Sequence, residues 1–374
     1  MNLQSKIRIM LVGGGTGGHT FPLVAVAESL RNIKPDIELA CMGDQKFLAD
    51  TATKLKVPFI KITGPKWDRT SFFARILALL SLPLLFINFI KCMYWMWRFM
   101  PDAIFVKGGY PSVIPAIVAK IYFIPLYVHE SDAIAGSTNR FLGRLATRVF
   151  LGFEEARQFF NPLKTEVVGV PLRKPLPGNT RDSAVAFFAF TDKSKPTIFF
   201  TGASQGAKAI NDVILTVLIQ LCQKYNIIHQ CGDGNFAEVS ALVEKIKKEN
   251  QSFADIITPN YKLYGFMDDQ IFQNAVLASD VIVTRAGSSL FEFSAYHKPI
   301  IAIPLPSSAN DHQRANAYAF SKFGVKVIEQ DNITPNVLIY NIDEALKNSA
   351  QLSAQLEQFN FNSADTIATS ILNT

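Results

Sequence analysis

The sequence is poor in the residues from which metal centres and disulfide frameworks are built. Its four cysteines (Cys41, Cys92, Cys222, Cys231) show no Cys-x-x-Cys spacing. Each sits in an apolar or strand-like stretch, as reduced thiols of a cytosolic protein do. The five histidines (His19, His129, His229, His297, His312) are scattered, and no Asp-x-Asp pair of the kind that holds a divalent ion on a nucleotide diphosphate is present. Neither a metal nor a cofactor is therefore expected. Charge is scarce too, at 18% of residues against 49% hydrophobic, which excludes a disordered chain. The most apolar block, residues 76–90, holds no charge, but it spans 15 residues interrupted by Pro83 and Asn88. That is short for a bilayer core, which takes about 20 residues. Lys6-Ile7-Arg8 lead straight into an apolar strand, leaving no room for a signal peptide.

What charge there is lies unevenly. Residues 1–110 carry 14 Lys/Arg against 7 Asp/Glu, and the remainder 23 against 24. A basic N-terminal portion suits an anionic membrane, an anionic substrate or nucleic acid. With 374 residues the chain is long enough for two domains, each with its own core.

The chain is organised around Ile9-Met10-Leu11-Val12, the glycine turn Gly13-Gly14-Gly15-Thr16-Gly17-Gly18-His19, and the helical pattern from Leu23. Strand, glycine turn and helix together bring backbone N–H groups and the positive end of a helix dipole close to a ligand. Gly13, Gly15 and Gly18 also satisfy a dinucleotide-binding pattern, with Glu38 about 20 residues on as the ribose acid, so an NAD-dependent oxidoreductase is one reading. Short apolar strands then alternate with helical patterns: Arg8–Val12, Ile37–Met42, Ala103–Val106, Leu126–Val128, Val149–Leu151 and Glu166–Val168. Residues 170–196, with Pro171, Pro175, Pro177 and Gly178, read as a linker, inside which Ala184–Phe190 could form a short helix. Pro196–Thr201 opens a second strand–glycine turn–helix unit at Gly202-Ala203-Ser204-Gln205-Gly206, followed by strands at 227–230, 261–264, 281–284, 300–303 and 326–328. Residues 335–374 read as helical. Two α/β, doubly wound domains of this kind facing one another would bind a ligand in the crevice at the carboxyl ends of their strands.

Four turns carry residues suited to a sugar nucleotide. Ser204 would sit at a helix N-terminus, Glu292 in the first turn after Arg285-Ala286-Gly287-Ser288-Ser289, Gln313 and Asn316 beyond Asp311-His312, and His129-Glu130-Ser131-Asp132 at a strand end. A carboxylate accepts two hydrogen bonds from a ribose diol, and carboxamides match sugar hydroxyls. Arg173 and Arg285 are the expected partners of leaving-group charge.

In their order along the chain, Gly14–Pro22, Gly108-Gly109-Tyr110, His129-Glu130, Ile134-Ala135-Gly136 with Asn139, Gly202–Ala207, His229-Gln230 and Arg285–Glu292 resemble the MurG family of N-acetylglucosaminyltransferases. The likeness covers roughly residues 7–330. It implies a GT-B fold, two Rossmann-like doubly wound domains facing a central cleft, and transfer of GlcNAc with inversion from UDP-GlcNAc to undecaprenyl-linked lipid I. It also implies an acceptor and membrane-binding domain over 1–169, a linker over 170–196, a UDP-sugar domain over 197–340 and a closing helical segment over 341–374. On matching positions, Thr16, Gly17, Gly18, Asp132, Arg173, Ser204, the Met267 backbone, Ser288, Ser289, Leu290, Glu292 and Gln313 would form the donor site and its junction with the acceptor. His19, Glu130 and Tyr110 are the implied catalytic group. His19 is the first choice of base and Glu130 the second, with Tyr110 in a positioning role. Asp132 stands where the family has asparagine, and the Arg285–Glu292 segment is one residue shorter. The implied partners are the two substrates and an anionic membrane on its cytoplasmic face, without nucleic acid. The basic and aromatic flanks of residues 76–90 (Lys66, Arg69, Arg75, Lys91, Tyr94, Trp95, Trp97, Arg98) predict a hairpin or broken helix over 72–99 that lies in the leaflet without spanning it. A diacylglycerol glycosyltransferase and a non-catalytic sugar-nucleotide-binding protein remain alternatives.

Overall fold

The apolar runs pair in parallel. In the computed structural model, which describes residues 6–14, 17–43, 46–62, 82–172, 179–202, 206–308, 311–357 and 362–373, the chain divides into two units. One is Met1–Arg173 with Asn360–Thr374, the other Lys174–Phe359.

The first unit holds β1 (Arg8–Val12), β2 (Glu38–Gly43), β3 (Phe59–Lys61), β4 (Ala103–Val106), β5 (Leu126–Glu130), β6 (Arg148–Leu151) and β7 (Thr165–Val167), in spatial order β3-β2-β1-β4-β5-β6-β7. The inner strands β1, β4 and β5 are buried on both faces, so alternation along them sorts side chains between two layers. Ile9 and Leu11 enter one core with Leu23, Val26 and Leu30 of the helix Gly17–Ile33; Met10 and Val12 enter the other with Cys92, Met96 and Ala116. Where Gly13 leaves β1, the backbones are in such close contact that a Cβ on Gly43 would lie 2.0 Å from the Gly13 carbonyl oxygen.

The second unit holds β8 (Thr197–Thr201), β9 (Asn226–Gln230), β10 (Tyr261–Tyr264), β11 (Val281–Thr284), β12 (Ile300–Ala302) and β13 (Lys326–Val327), in order β10-β9-β8-β11-β12-β13. In each unit the strand order reverses beside the strand that opens it, β1 against β4 and β8 against β11. Ligands of open α/β sheets bind at that switch point, outside the carboxyl ends. Gly13 and Gly202, which open the two glycine stretches, lie there.

The boundaries differ from the sequence reading at two places. Inside the expected linker the short helix foreseen at Ala184–Phe190 lies at Arg181–Phe187, with a Thr180–Ser183 capping box. Arg181 binds Asp280 through two 2.8 Å bonds, and Asp280 accepts from Thr197 N, so this segment is tied to the second unit. The expected closing segment 341–374 is split. Ser349–Leu356 stays with the second unit, whereas Ser363–Leu372 packs on Gly17–Ile33 of the first and buries Ile367, Ala368 and Ile371 there. Ser363 Oγ donates to Val168 O and Ser29 Oγ to Asp365, which fixes the helix in place.

The apolar block is a continuous helix over Leu82–Phe99; the expectation for residues 72–81 falls outside the described residues. Pro83 does not interrupt it, because a proline in the first turn removes no hydrogen bond. Asn88 does not either: buried, it donates from Nδ2 to Leu84 O at 2.9 Å. Asn88, Cys92 and Met96 face the core, yet Leu84, Phe86, Ile87, Ile90, Tyr94 and Trp97 on the outer side are exposed. The helix packs beside Val113–Ile121, whose end exposes Lys120, Ile121 and, in the following turn, Phe123 at 91%. Among the described residues no helix is long and apolar enough to cross a membrane.

Candidate active site

In the first unit the site is built on the ends of β1, β4 and β5. Gly17 begins the helix after β1, so His19 is carried on its first turn; Thr16 and the side chain of His19 lie outside the description. After β4 the chain turns through Gly108 and Gly109, with φ of 103° and 82°, into the short helix Tyr110–Ser112. These angles require glycine, and they present Tyr110 half-buried at the strand end. Ser112 Oγ locks the turn by donating to Gly108 O at 2.7 Å.

After β5, Glu130 is 3% exposed and its carboxylate is an acceptor for three donors. Asp132 N donates to Oε1 at 2.9 Å, and Gly136 N and Asn139 Nδ2 donate to Oε2 at 2.9 and 3.0 Å. The residue expected as a second-choice base therefore acts as a clamp that closes the 131–136 turn. Burial pushes its carboxyl above the usual range and Asp132 adds to the rise, while Lys107 and the two amides oppose it. Asp132 is half-buried in that turn. His129 is fully buried, its Nε2 2.8 Å from Gly169 O, and so ties the end of β5 to the segment leaving the unit.

Glu38 does not support the dinucleotide reading. It opens β2, pairs with Arg8 at the amino end of β1 and makes ion pairs with Lys6 and Arg8, at the opposite end of the sheet from the glycine turn.

In the second unit residues 203–205, which follow β8, lie outside the described residues, as does Arg173. The expectation for Ser204 therefore falls outside the described residues; in sequence it stands between β8 and the helix Lys208–Thr216. The strand ends beside that stretch are held by several contacts. His229 on β9 contacts Tyr261 Oη at 2.7 Å and Asn211 Oδ1 at 3.0 Å. Asn211 and Asn235 both donate to Cys231 O, on which Gly206 stacks so closely that a Cβ would lie 2.0 Å away. Burial lowers the His229 pKa to about 3, so the ring is neutral and structural.

Met267 is buried in the turn after β10, and Glu292 is half-buried in the first turn of Ser289–Ser294, after half-exposed Gly287, Ser288 and Ser289. Leu290 turns fully into the core and its amide donates to Gly287 O, so its side chain has no part in the site. Arg285 does not serve the expected role on leaving-group charge. It is 7% exposed and donates to Ile303 O, Pro304 O and Gln330, holding the turns after β11 and β12 together. Gln313 half-faces the same end of the sheet; its Oε1 accepts from Leu305 N at 3.0 Å, which fixes the carboxamide.

This arrangement is matched along the chain. The model of the glycosyltransferase family 28 N-terminal domain covers residues 9–151, and that of the C-terminal domain residues 197–371. A Bacillus thuringiensis (strain Al Hakam) protein named UDP-N-acetylglucosamine–N-acetylmuramyl-(pentapeptide) pyrophosphoryl-undecaprenol N-acetylglucosamine transferase 3 is 30% identical over 358 residues, 94% of this chain and 95% of the relative. The chain belongs to glycosyltransferase family 28. A family 28 relative of the same transferase name from Solidesulfovibrio magneticus is 28% identical over 383 residues, 98% of this chain and 97% of its own. Among solved structures, Acinetobacter baumannii MurG superposes with a TM-score of 0.72 at 24% identity, covering 98% of this chain and 100% of that one. A UDP-GlcNAc 2-epimerase from Neisseria meningitidis bound to UDP-GlcNAc reaches 0.69 at 13% identity, with 98% and 100% covered. These two likenesses show a shared fold.

Two residues escaped the sequence reading. Asn211 looks like any polar residue of a helix, and only its contact with His229 shows that it supports the second glycine turn. Lys107 reads as a surface lysine beside two glycines but is 1% exposed.

Proposed function

We propose that this chain transfers GlcNAc with inversion from UDP-GlcNAc to the muramyl 4-hydroxyl of undecaprenyl-linked lipid I, making lipid II at the cytoplasmic face of the cell membrane. The carrying observation is a full-length match to relatives of that activity on a chain that twice performs strand, glycine turn and helix at a sheet switch point. Inversion requires the acceptor hydroxyl to attack opposite the departing UDP, with a base taking its proton and fixed dipoles stabilising the diphosphate. In this reading the second unit holds the nucleotide: Ser204 and the following helix take phosphate, Met267 the base and Glu292 the ribose, while Arg173 and Gln313 complete the contacts. Thr16, Gly17, Gly18 and Asp132 border the reacting sugar.

His19 is the base. Glu130 is disfavoured for that task because its carboxylate already accepts three hydrogen bonds at 3% exposure. The exposed apolar side of Leu82–Phe99, flanked by Lys91, Arg98 and Lys120, supports peripheral docking on an anionic bilayer, which an acceptor carried on a polyprenyl chain needs.

The test is release of UDP from UDP-GlcNAc by the full chain with lipid I, with diacylglycerol and with neither. Release that depends on lipid I is expected. Release that depends on diacylglycerol, or none, overturns the reading.

A further inference from the structure

Lys107 follows β4 directly, its amide bonded to Val12 O at 3.0 Å. Its side chain is 1% exposed, and Nζ has no hydrogen-bond partner among the described residues. A buried ammonium is costly, and a methionine would fill the same space without that cost. β4 pairs in parallel with β5, Val106 against Val128, so Lys107 stands one residue past that pair beside the end of β5. The charges that act on it there are Glu130 and Asp132. Other titratable groups on β5 and the helix after it have partners of their own: His129 contacts Gly169 O, and Arg140 donates to Ala135 O. His19 rides on the adjoining helix. The cluster is therefore one cation against two carboxylates, one of which clamps the 131–136 turn through three donors.

We propose that Lys107 is a positioning residue for the acceptor half of the site: its buried ammonium keeps the Glu130 carboxylate charged, and so keeps the 131–136 turn closed in the shape the acceptor sugar meets. This rests on the reading that the turn belongs to the acceptor half. Without the ammonium, burial and Asp132 act on Glu130 against its three hydrogen-bond donors alone, so the carboxyl takes up a proton more readily and gives up part of its clamp. Lys107 is itself lowered to about 8 by burial, so its charge also ends within an accessible pH range.

The experiment uses the full chain with UDP-GlcNAc and lipid I, and the variants Lys107→Met, Glu130→Gln and the two combined. Lys107→Met is expected to lower acceptor kcat/KM roughly 10–100-fold near neutral pH, the scale of a misplaced site. Its acidic limb should move to higher pH, while calorimetric UDP-GlcNAc affinity stays within about twofold. In the Glu130→Gln background the same change should add little, because no charge is left to hold. An unshifted acidic limb, or an equal loss in both backgrounds, overturns the proposal. Should Lys107→Met alone fail to fold, the double variant is expected to fold with the activity of Glu130→Gln, and its failure to do so also overturns it. A wild-type chain inactive on lipid I would instead remove the acceptor reading itself.

Discussion

His229 is 1% exposed between Asn211 and Tyr261, and burial drives its pKa down to about 3. An unfolded histidine titrates near ~6.5, so between those values the unfolded chain binds the extra proton. The stability this ring contributes is complete above about pH 6.5 and is lost as pH falls towards 3. Urea unfolding between pH 5 and 7 should show this site adding up to ~1.4 kcal/mol per pH unit to the acid slope. His229→Gln should flatten that slope; an equal slope in both would show that the ring titrates freely. Glu292 stands in the first turn of the helix that follows the carboxyl end of β11. Its replacement by alanine should cost roughly 2–3 kcal/mol of UDP-GlcNAc binding, the worth of one or two charge-assisted hydrogen bonds, read by calorimetry. His19→Ala should lower turnover roughly 10²–10⁴-fold with little change in donor affinity, as loss of a general base does. Turnover near wild type would leave His19 structural. At this scale the sequence shows which chemistries are present but not which way they face. Arg285 looks like an anion ligand until carbonyls 18 and 19 residues later, at Ile303 and Pro304, are seen to take its guanidinium. Lys107 is likewise hidden, because the strand it packs beside, β5, begins some 20 residues later.

Elements were more legible than side chains. Strands such as Val281–Thr284 and Ala103–Val106 are short β-branched or apolar runs ending in glycine turns, and parallel strands buried on both faces write that pattern plainly. Phe59–Lys61 was not legible: three residues, one of them a lysine, carry no period. The helix Leu82–Phe99 was legible as an apolar block but not as a single helix, since Pro83 and Asn88 resemble breaks until their positions in the turn are known. Its outer side sets the element-scale prediction. Leu84, Phe86 and Ile90 changed together to serine should weaken flotation with anionic liposomes, each side chain being worth ~1.5–3 kcal/mol if fully buried in lipid. Replacing Lys91 and Arg98 by glutamine should weaken the dependence on anionic lipid by about 1 kcal/mol per charge. Flotation indifferent to both sets would assign this surface to something other than a bilayer.

Across the whole molecule, the two-unit plan was readable because the sequence performs the same opening move at Gly13 and at Gly202. The return of Ser363–Leu372 to the first unit was not, since an amphipathic helix does not name the core it covers. Ending the chain after Phe359 should strip Ile367, Ala368 and Ile371 from a core that includes Leu23 and Val26. Losing three buried side chains should destabilise the first unit by several kcal/mol, roughly the cost of large core deletions. Calorimetry should show the transition of that unit moving down while the other stays in place. The same connection has a meaning for biosynthesis. A ribosome finishes the sheet of the first unit long before it makes the helix that covers it, and the whole second unit is translated in between. The growing chain must therefore carry an uncovered apolar seam on Gly17–Ile33 until residues 363–372 emerge. A stalled or prematurely terminated product would expose that seam to chaperones and proteases, although every strand of its first domain is already present.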